Sequence, residues 1–178
     1  MEVFDFKNAK SVNKALIQAL AENTSWVDQA NNVLIFGPSG VGKTHLAASI
    51  GHAQIDLNKR VLMTSTTALV QQLQRDKKNY ELPESLSKLD KYDLLILDDI
   101  GYVKKDEGET SVLFELIHHR YESGSLIITA NQPFSQWDKI FPDNMMAVAA
   151  IDRLVHHATI IKIDEKSYRK TQSVLKRK

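Results

Sequence analysis

The chain has 178 residues, 43% of them hydrophobic, enough to bury one substantial core but not to build two full domains. A net charge of +1 carries no strong overall field, so any attraction to nucleic acid must come from local clusters. The absence of cysteine rules out disulfides, thiolate metal sites and cysteine nucleophiles, and it suits a reducing cytoplasm. The opening residues, Met1 to Phe6, lack the basic and then apolar pattern of a signal peptide, and no apolar run approaches the length of a membrane span. The expectation is a cytoplasmic protein with no membrane partner.

Val12, Ala15, Leu16, Ala19 and Leu20 recur at helical spacing behind Ser11, a candidate N-cap, and predict a first helix to about Asn23. The stretch from Asn23 to Asn32 reads as polar and turn-like. Residues 1–32 are thus expected to be an N-terminal segment and helix. Val33 to Phe36 is too short and too β-favouring for a helix and predicts a buried parallel strand. It leads into Gly37-Pro38-Ser39-Gly40-Val41-Gly42-Lys43-Thr44, which fits G-x-x-x-x-G-K-[ST] at every fixed position. Glycines let the backbone turn sharply there, so that successive N–H groups converge on the phosphates of a nucleotide, and a helix beginning near Gly42 adds the positive end of its dipole. Lys43 is expected to reach the β- and γ-phosphates, and Thr44 to hold Mg2+ through its hydroxyl. The alternative is a glycine-rich turn that binds nothing.

Leu46, Ala47, Ile50 and Ala53 give the next helix its apolar face, and Val61 to Thr64 predict a second strand. Helical spacing returns with Leu69, Val70 and Leu73. Pro83 breaks what precedes it, and a short helix through Leu86 and Leu89 leads to Leu94-Leu95-Ile96-Leu97, an apolar strand closed by Asp98 and Asp99. Asp106 and Glu109 have capping-box spacing and open a long helix expected to end at Gly124. Leu126 to Thr129 predict a fourth strand. Pro133 starts a short helix carrying Trp137 and Ile140, another is expected from about Asn144 to Val155, and Ala158 to Ile163 predict a fifth strand. Residues 33–163 form the expected core and 164–178 a basic tail. Strands alternating with helices imply an α/β fold with a five-stranded parallel sheet covered by helices on both faces. In such sheets ligands gather at the carboxyl ends of the strands, where the phosphate loop, Asp98-Asp99 and Asn131 all fall.

Mg2+ takes hard oxygen ligands, so Asp98 at the end of a buried strand suits it. Asp99, pointing elsewhere, could polarise a water for attack on the γ-phosphate. A pair of carboxylates that merely ends a strand is the alternative. Asn131 could orient a water or touch the γ-phosphate without competing for the metal, or serve only as a turn residue before Pro133.

The chain resembles the AAA+ ATPases, in particular the IstB-type transposition helpers and their relatives, the DnaC-type helicase loaders. The resemblance is carried by Phe4-Asp5-Phe6, GPSGVGKTHLA at 37–47, LLILDDIGY at 94–102, RYESGSLIITANQPFSQW at 120–137 and AIDRLVHHATII at 150–161, and it ends with Ser167-Tyr168-Arg169. It implies a P-loop NTPase (AAA+) core that binds ATP or ADP with Mg2+. Gly37 to Thr44 and His45 would contact the nucleotide, and Thr44 and Asp98 the metal. Asp99 would be the catalytic carboxylate at a position most AAA+ proteins fill with glutamate, and aspartate has the shorter reach. Asn131 would be the first sensor, although Ala130 stands where these helpers often have serine. Arg153 matches the arginine finger that enters a neighbouring subunit's site, with an ordinary surface ion pair as the alternative. Phe4-Asp5-Phe6 matches the segment near the adenine, or anchors the first helix. The sequence departs from the pattern after the fifth strand. Too few residues follow for a full C-terminal lid domain, and the chain begins almost at the Phe-Asp-Phe segment, ahead of which such helpers usually carry a DNA-contacting region; the resemblance implies an excised ATPase core as one expectation.

The six histidines include the adjacent pairs His118-His119 and His156-His157. Neighbours in a helix do not share a face, so no metal other than Mg2+ is expected. Arg75, Lys77 and Lys78, with Lys88 and Lys91, could meet DNA phosphates in the bore of a ring or spiral, or form a solvated face. The tail residues Lys166, Arg169, Lys170, Lys176, Arg177 and Lys178 offer the same two readings. The leading functional expectation is an ATP-hydrolysing helper that forms homo-oligomers on DNA and assists a transposase. A helicase loader, acting on a replicative helicase, shares every motif. A nucleotide kinase shares the glycine loop but needs an acceptor pocket and an arginine-rich lid that the sequence does not show. A module that senses ATP without hydrolysing it is the fourth reading.

Overall fold

The computed structural model describes residues 12–102, 107–139 and 144–164. The Phe4-Asp5-Phe6 segment, Ser11, Asp106, Ile140 and the basic tail lie outside the described residues.

β1 (Asn32–Phe36), β2 (Val61–Ser65), β3 (Leu94–Asp98), β4 (Ser125–Ala130) and β5 (Ala158–Lys162) form one parallel sheet in the order β2-β3-β4-β1-β5. β1, β3 and β4 are apolar and buried along almost their whole length because both faces of the sheet are covered. Strand alternation divides the core in two. Val33, Ile35, Leu94, Ile96 and Ile127 pack beneath α1 (Lys14–Glu22), α2 (Ser25–Asp28) and α3 (Lys43–Asp56). Leu34, Phe36, Leu95, Leu97, Leu126 and Ile128 pack against α4 (Thr66–Lys78), α5 (Leu82–Leu89), α6 (Glu107–Arg120) and α7 (Asn144–Val155). Each crossover deposits a helix on one face or the other, as the βαβ alternation predicts. Trp137, in a 3-10 turn at Phe134–Lys139, is fully buried with its ring 6.3 Å from that of Phe36. Among the described residues no helix is long and apolar enough to cross a membrane.

Several element boundaries differ from the sequence expectation. The cap of α1 is Asn13, whose side chain accepts from the Leu16 amide at 3.2 Å. The supposedly turn-like stretch holds α2, which buries Trp26 and Val27, and the Trp26 indole donates to the Leu20 carbonyl at 3.0 Å. Two apolar residues in one turn were too few to register as periodicity. Pro83 does not only interrupt; it sits in the first turn of α5, where its missing N–H costs nothing. The last helical residue of α6 is Arg120, and residues 121–123 turn before Gly124.

Two buried polar side chains hold the layers in place. Asn32 donates to the Leu154 carbonyl at 3.2 Å and accepts from the Leu126 amide at 3.0 Å, joining β1, β4 and the end of α7. Gln54, fully buried, donates to the carbonyls of Leu20 and Asn23 and fastens α1 to α3.

Candidate nucleotide-binding site

β1, the central carrier of the loop, runs straight into Gly37. A Cβ on Gly37 would lie 2.5 Å from the Ile163 carbonyl oxygen, so no larger residue fits where the loop passes the end of β5. Gly42 is the N-cap of α3 at φ 97, in the left-handed region that favours glycine, and it turns the chain directly into the helix. The loop therefore ends with the first amides of α3 directed out of the helix N-terminus, an arrangement suited to an anion. Val41 is buried in the core below; Pro38, Ser39, Thr44 and His45 are exposed.

Lys43 is 7% exposed, and its Nζ donates to Gly37 O and Pro38 O, both at 2.9 Å, and to Asn131 Oδ1 at 2.6 Å. Its ammonium is thereby curled over the loop. Strand parity explains the rest. Leu94, Ile96 and Asp98 alternate on the face that carries α3, so the Asp98 carboxylate meets the first turn of that helix. Thr44 Oγ1 lies 2.9 and 3.1 Å from the two Asp98 oxygens. The register pairs Leu97 with Ile128, which sets Thr129 beside Asp98. Thr129 Oγ1 donates to Asp98 Oδ1 at 2.6 Å and accepts from the Asp99 amide at 2.8 Å. Thr66 donates to the Asp98 carbonyl at 3.0 Å.

Asp99 leaves the strand at φ 62, a conformation uncommon outside glycine, asparagine and aspartate. Its Oδ1 accepts from Asn131 Nδ2 at 2.9 Å. The partners orient the Asn131 amide, since an ammonium can only donate and a carboxylate can only accept. Burial pushes the Asp99 carboxyl above the usual carboxylate range; the Lys43 charge opposes this and the Asp98 charge reinforces it.

Lys43, Thr44, Asp98, Asp99 and Asn131 thus meet in one hydrogen-bonded set, as their positions at strand ends predict. Adjacent hydroxyl and carboxylate oxygens of Thr44 and Asp98 are the hard donors Mg2+ takes, and the N-terminus of α3 behind Gly42, with Lys43 beside it, suits phosphate, so the residues fit both groups. Arg153 is not part of the set. It lies in the last turn of α7, where its Nε donates to His118 Nδ1 at 3.3 Å, its Nη1 to the Ala149 carbonyl at 2.9 Å, and its guanidinium lies 5.5 Å from the Phe114 ring. All three partners belong to α6 and α7. Sequence reasoning missed Thr129 and Thr66. For Thr129 the available signal was a hydroxyl inside an otherwise apolar buried strand, which must find a partner; Thr66, the first residue of α4, gave no such signal.

The basic cluster is also rearranged. Lys77 bridges to Glu115 at 2.6 Å and Ser111 at 2.9 Å, and the Lys91 ammonium lies 5.0 Å from the Tyr92 ring centre. Arg75, Lys77 and Lys78 occupy the last turn of α4, where cations complement the helix dipole.

A parallel sheet with the phosphate loop after the interior strand β1, and an acidic end on β3 with β4 lying between them, defines a P-loop α/β protein of the AAA+ class. Solved structures share the fold: that of DnaI superposes with a TM-score of 0.73 at 20% identity over 92% of this chain and 88% of that one. The DnaC helicase loader gives 0.68 at 19% identity over 84% and 87%. The model of the IstB-like ATP binding protein family matches residues 1–176, and the chain belongs to that family. An insertion sequence ATP-binding protein of Sinorhizobium fredii is 53% identical over 98% of this chain and 58% of its own length. The IS21 ATP-binding protein of Pseudomonas aeruginosa is 38% identical over 95% of this chain and 63% of its own. The chain spans about three-fifths of the length of these relatives.

Proposed function

We propose that this chain is the ATPase core of a helper protein that binds ATP with Mg2+, assembles with further copies in a ring or spiral on DNA, and assists the transposase of an insertion sequence. The observation that carries the reading is the joined set of Lys43, Thr44, Asp98, Asp99 and Asn131. In this reading the loop amides and Lys43 hold the phosphates, while Thr44 and Asp98 hold Mg2+. The ion supplies charge neutralisation at the β- and γ-phosphates. Asp99, its carboxyl raised by burial, accepts the proton of the water that attacks the γ-phosphorus, and the bond to ADP breaks. Asn131 keeps Asp99 in place and reaches toward the same water. Arg153 serves the site of a neighbouring copy; its hold on α6 and α7, away from its own loop, supports this.

The insertion-sequence names of the relatives support the transposition reading. The loader reading rests on fold likeness at 19–20% identity, which carries the fold alone. The kinase-like resemblance is confined to the loop, whereas the family match runs along residues 1–176.

Lys43→Ala removes the cation that faces the phosphates. Hydrogen bonds to charged groups contribute about 1.5–3 kcal/mol, so ATP affinity should fall roughly 10- to 150-fold in a calorimetric titration, with the circular dichroism spectrum unchanged. Undiminished affinity in the folded variant would overturn the nucleotide site.

A further inference from the structure

The second histidine pair does not behave as helix neighbours. α7 ends at Val155, so His156 and His157 lie in the turn that follows, and their ring centres are 4.0 Å apart. The rule that adjacent residues on a helix diverge does not apply there. Opposite them, Glu122 lies in the turn after α6. Each of the three residues offers a ligand atom within 4.8 Å of the others, and all three side chains are exposed. Glu122 takes φ 59, which glycine or asparagine adopts more readily, so turn geometry alone does not call for a carboxylate at this position. The Tyr121 hydroxyl lies 2.9 Å from His156 Nδ1; in the tautomer whose Nδ1–H donates to the hydroxyl oxygen, Nε2 carries the lone pair that a cation needs.

We propose that Glu122, His156 and His157 form a three-ligand site for a divalent transition cation of the Zn2+ class, fastening the end of α6 to the end of α7. Two imidazole nitrogens and one carboxylate are a donor set that Zn2+ favours, whereas Mg2+ prefers oxygen alone. Two ligand atoms each about 2.1 Å from one ion stand no more than about 4.2 Å apart, so the side chains must close by roughly half an ångström or more. Exposed side chains achieve that by small rotations. Tyr121 then fixes the His156 ring from behind, the part a hydrogen-bonding neighbour plays at metal-bound histidines. Asp152 and Arg153, on the last turns of α7, add one charge of each sign nearby, so the carboxylate of Glu122 remains the ligand that balances the ion. The site lies outside the phosphate loop and does not depend on the ATPase reading.

The test is a calorimetric titration of the full chain with Zn2+ in excess Mg2+ and without nucleotide. The wild type is expected to bind one equivalent. The double change His156→Ala and His157→Ala should weaken binding at least about 100-fold and Glu122→Gln at least about tenfold, since even hydrogen-bonding neighbours of ligands contribute 10- to 100-fold. His52→Ala, which removes an exposed imidazole on α3, should leave binding unchanged. Zn2+ should also raise the melting temperature of the wild type and not that of the double variant. If the double variant does not fold, Glu122→Gln carries the test. A wild-type chain that takes up no Zn2+, or uptake undiminished by the ligand substitutions, overturns the proposal.

Discussion

Asp99 combines a left-handed backbone, a hydrogen bond from Asn131 and a carboxyl whose ionisation is opposed by burial and by the charge of Asp98. A carboxylate with a raised pKa favours the folded state while protonated, and that contribution disappears as pH rises through the folded value. Asp99→Asn removes the ionisation while keeping an acceptor for Asn131 Nδ2. The variant should therefore gain melting temperature relative to wild type between about pH 4, near the unperturbed carboxyl value, and neutrality. It should also bind ATP and hydrolyse it slowly, since an amide accepts no proton from water. A wild type that gains on the variant over that pH range would contradict the cost assigned to ionised Asp99.

At the scale of elements, one side chain stitches the amino ends of β3 and β4 to the end of α5. Arg120 is 2% exposed and donates to the carbonyls of Leu89, Tyr92, Asp93 and Ser125. A guanidinium spans these acceptors, while an ammonium has too few donors and the wrong shape. Gly124 makes room for it, because a Cβ there would stand 2.2 Å from Arg120 Cζ. Gly124→Ala should push the guanidinium off its carbonyls and destabilise the fold by about 2–4 kcal/mol, the scale of losing charged hydrogen bonds and leaving buried carbonyls unpaired. Urea denaturation measures this; a loss under about 1 kcal/mol would mean that Arg120 relocates without cost. α6 itself stops at Arg120, four residues before the glycine that the sequence marks.

For the whole molecule, the decisive matter is whether one chain completes its own site. Arg153 is held by α6 and α7, while the phosphate set is built from β1, β3, β4 and α3. A shared site predicts that Arg153→Ala binds ATP but hydrolyses it poorly, by roughly 10³-fold if the arginine is as strong as those of other NTPases. Mixing it with Lys43→Ala should restore activity, because the Lys43→Ala copy lends its arginine to a neighbour that still binds ATP. Recovery should rise with protein concentration and with DNA. An inactive mixture of demonstrably co-assembled variants would remove Arg153 from the mechanism.

Local pattern was enough for the phosphate loop, the apolar strands and the acidic strand end, because a motif with fixed spacing and an uninterrupted run of buried residues are written in neighbouring positions. The α/β class followed from their alternation. Strand order did not, since β4 enters between β3 and β1 through contacts between residues far apart in the chain. That order alone sets Thr129 against Asp98 and Asn131 against Lys43. Tertiary packing also committed Lys77 to Glu115, turned Asn32 and Gln54 from polar punctuation into buried ties, and buried Trp26 in a single turn of helix. The histidines show the difference most plainly. Adjacent residues diverge on a helix, but whether His156 and His157 are on one depends on where α7 stops, and what they face depends on where α6 brings Glu122.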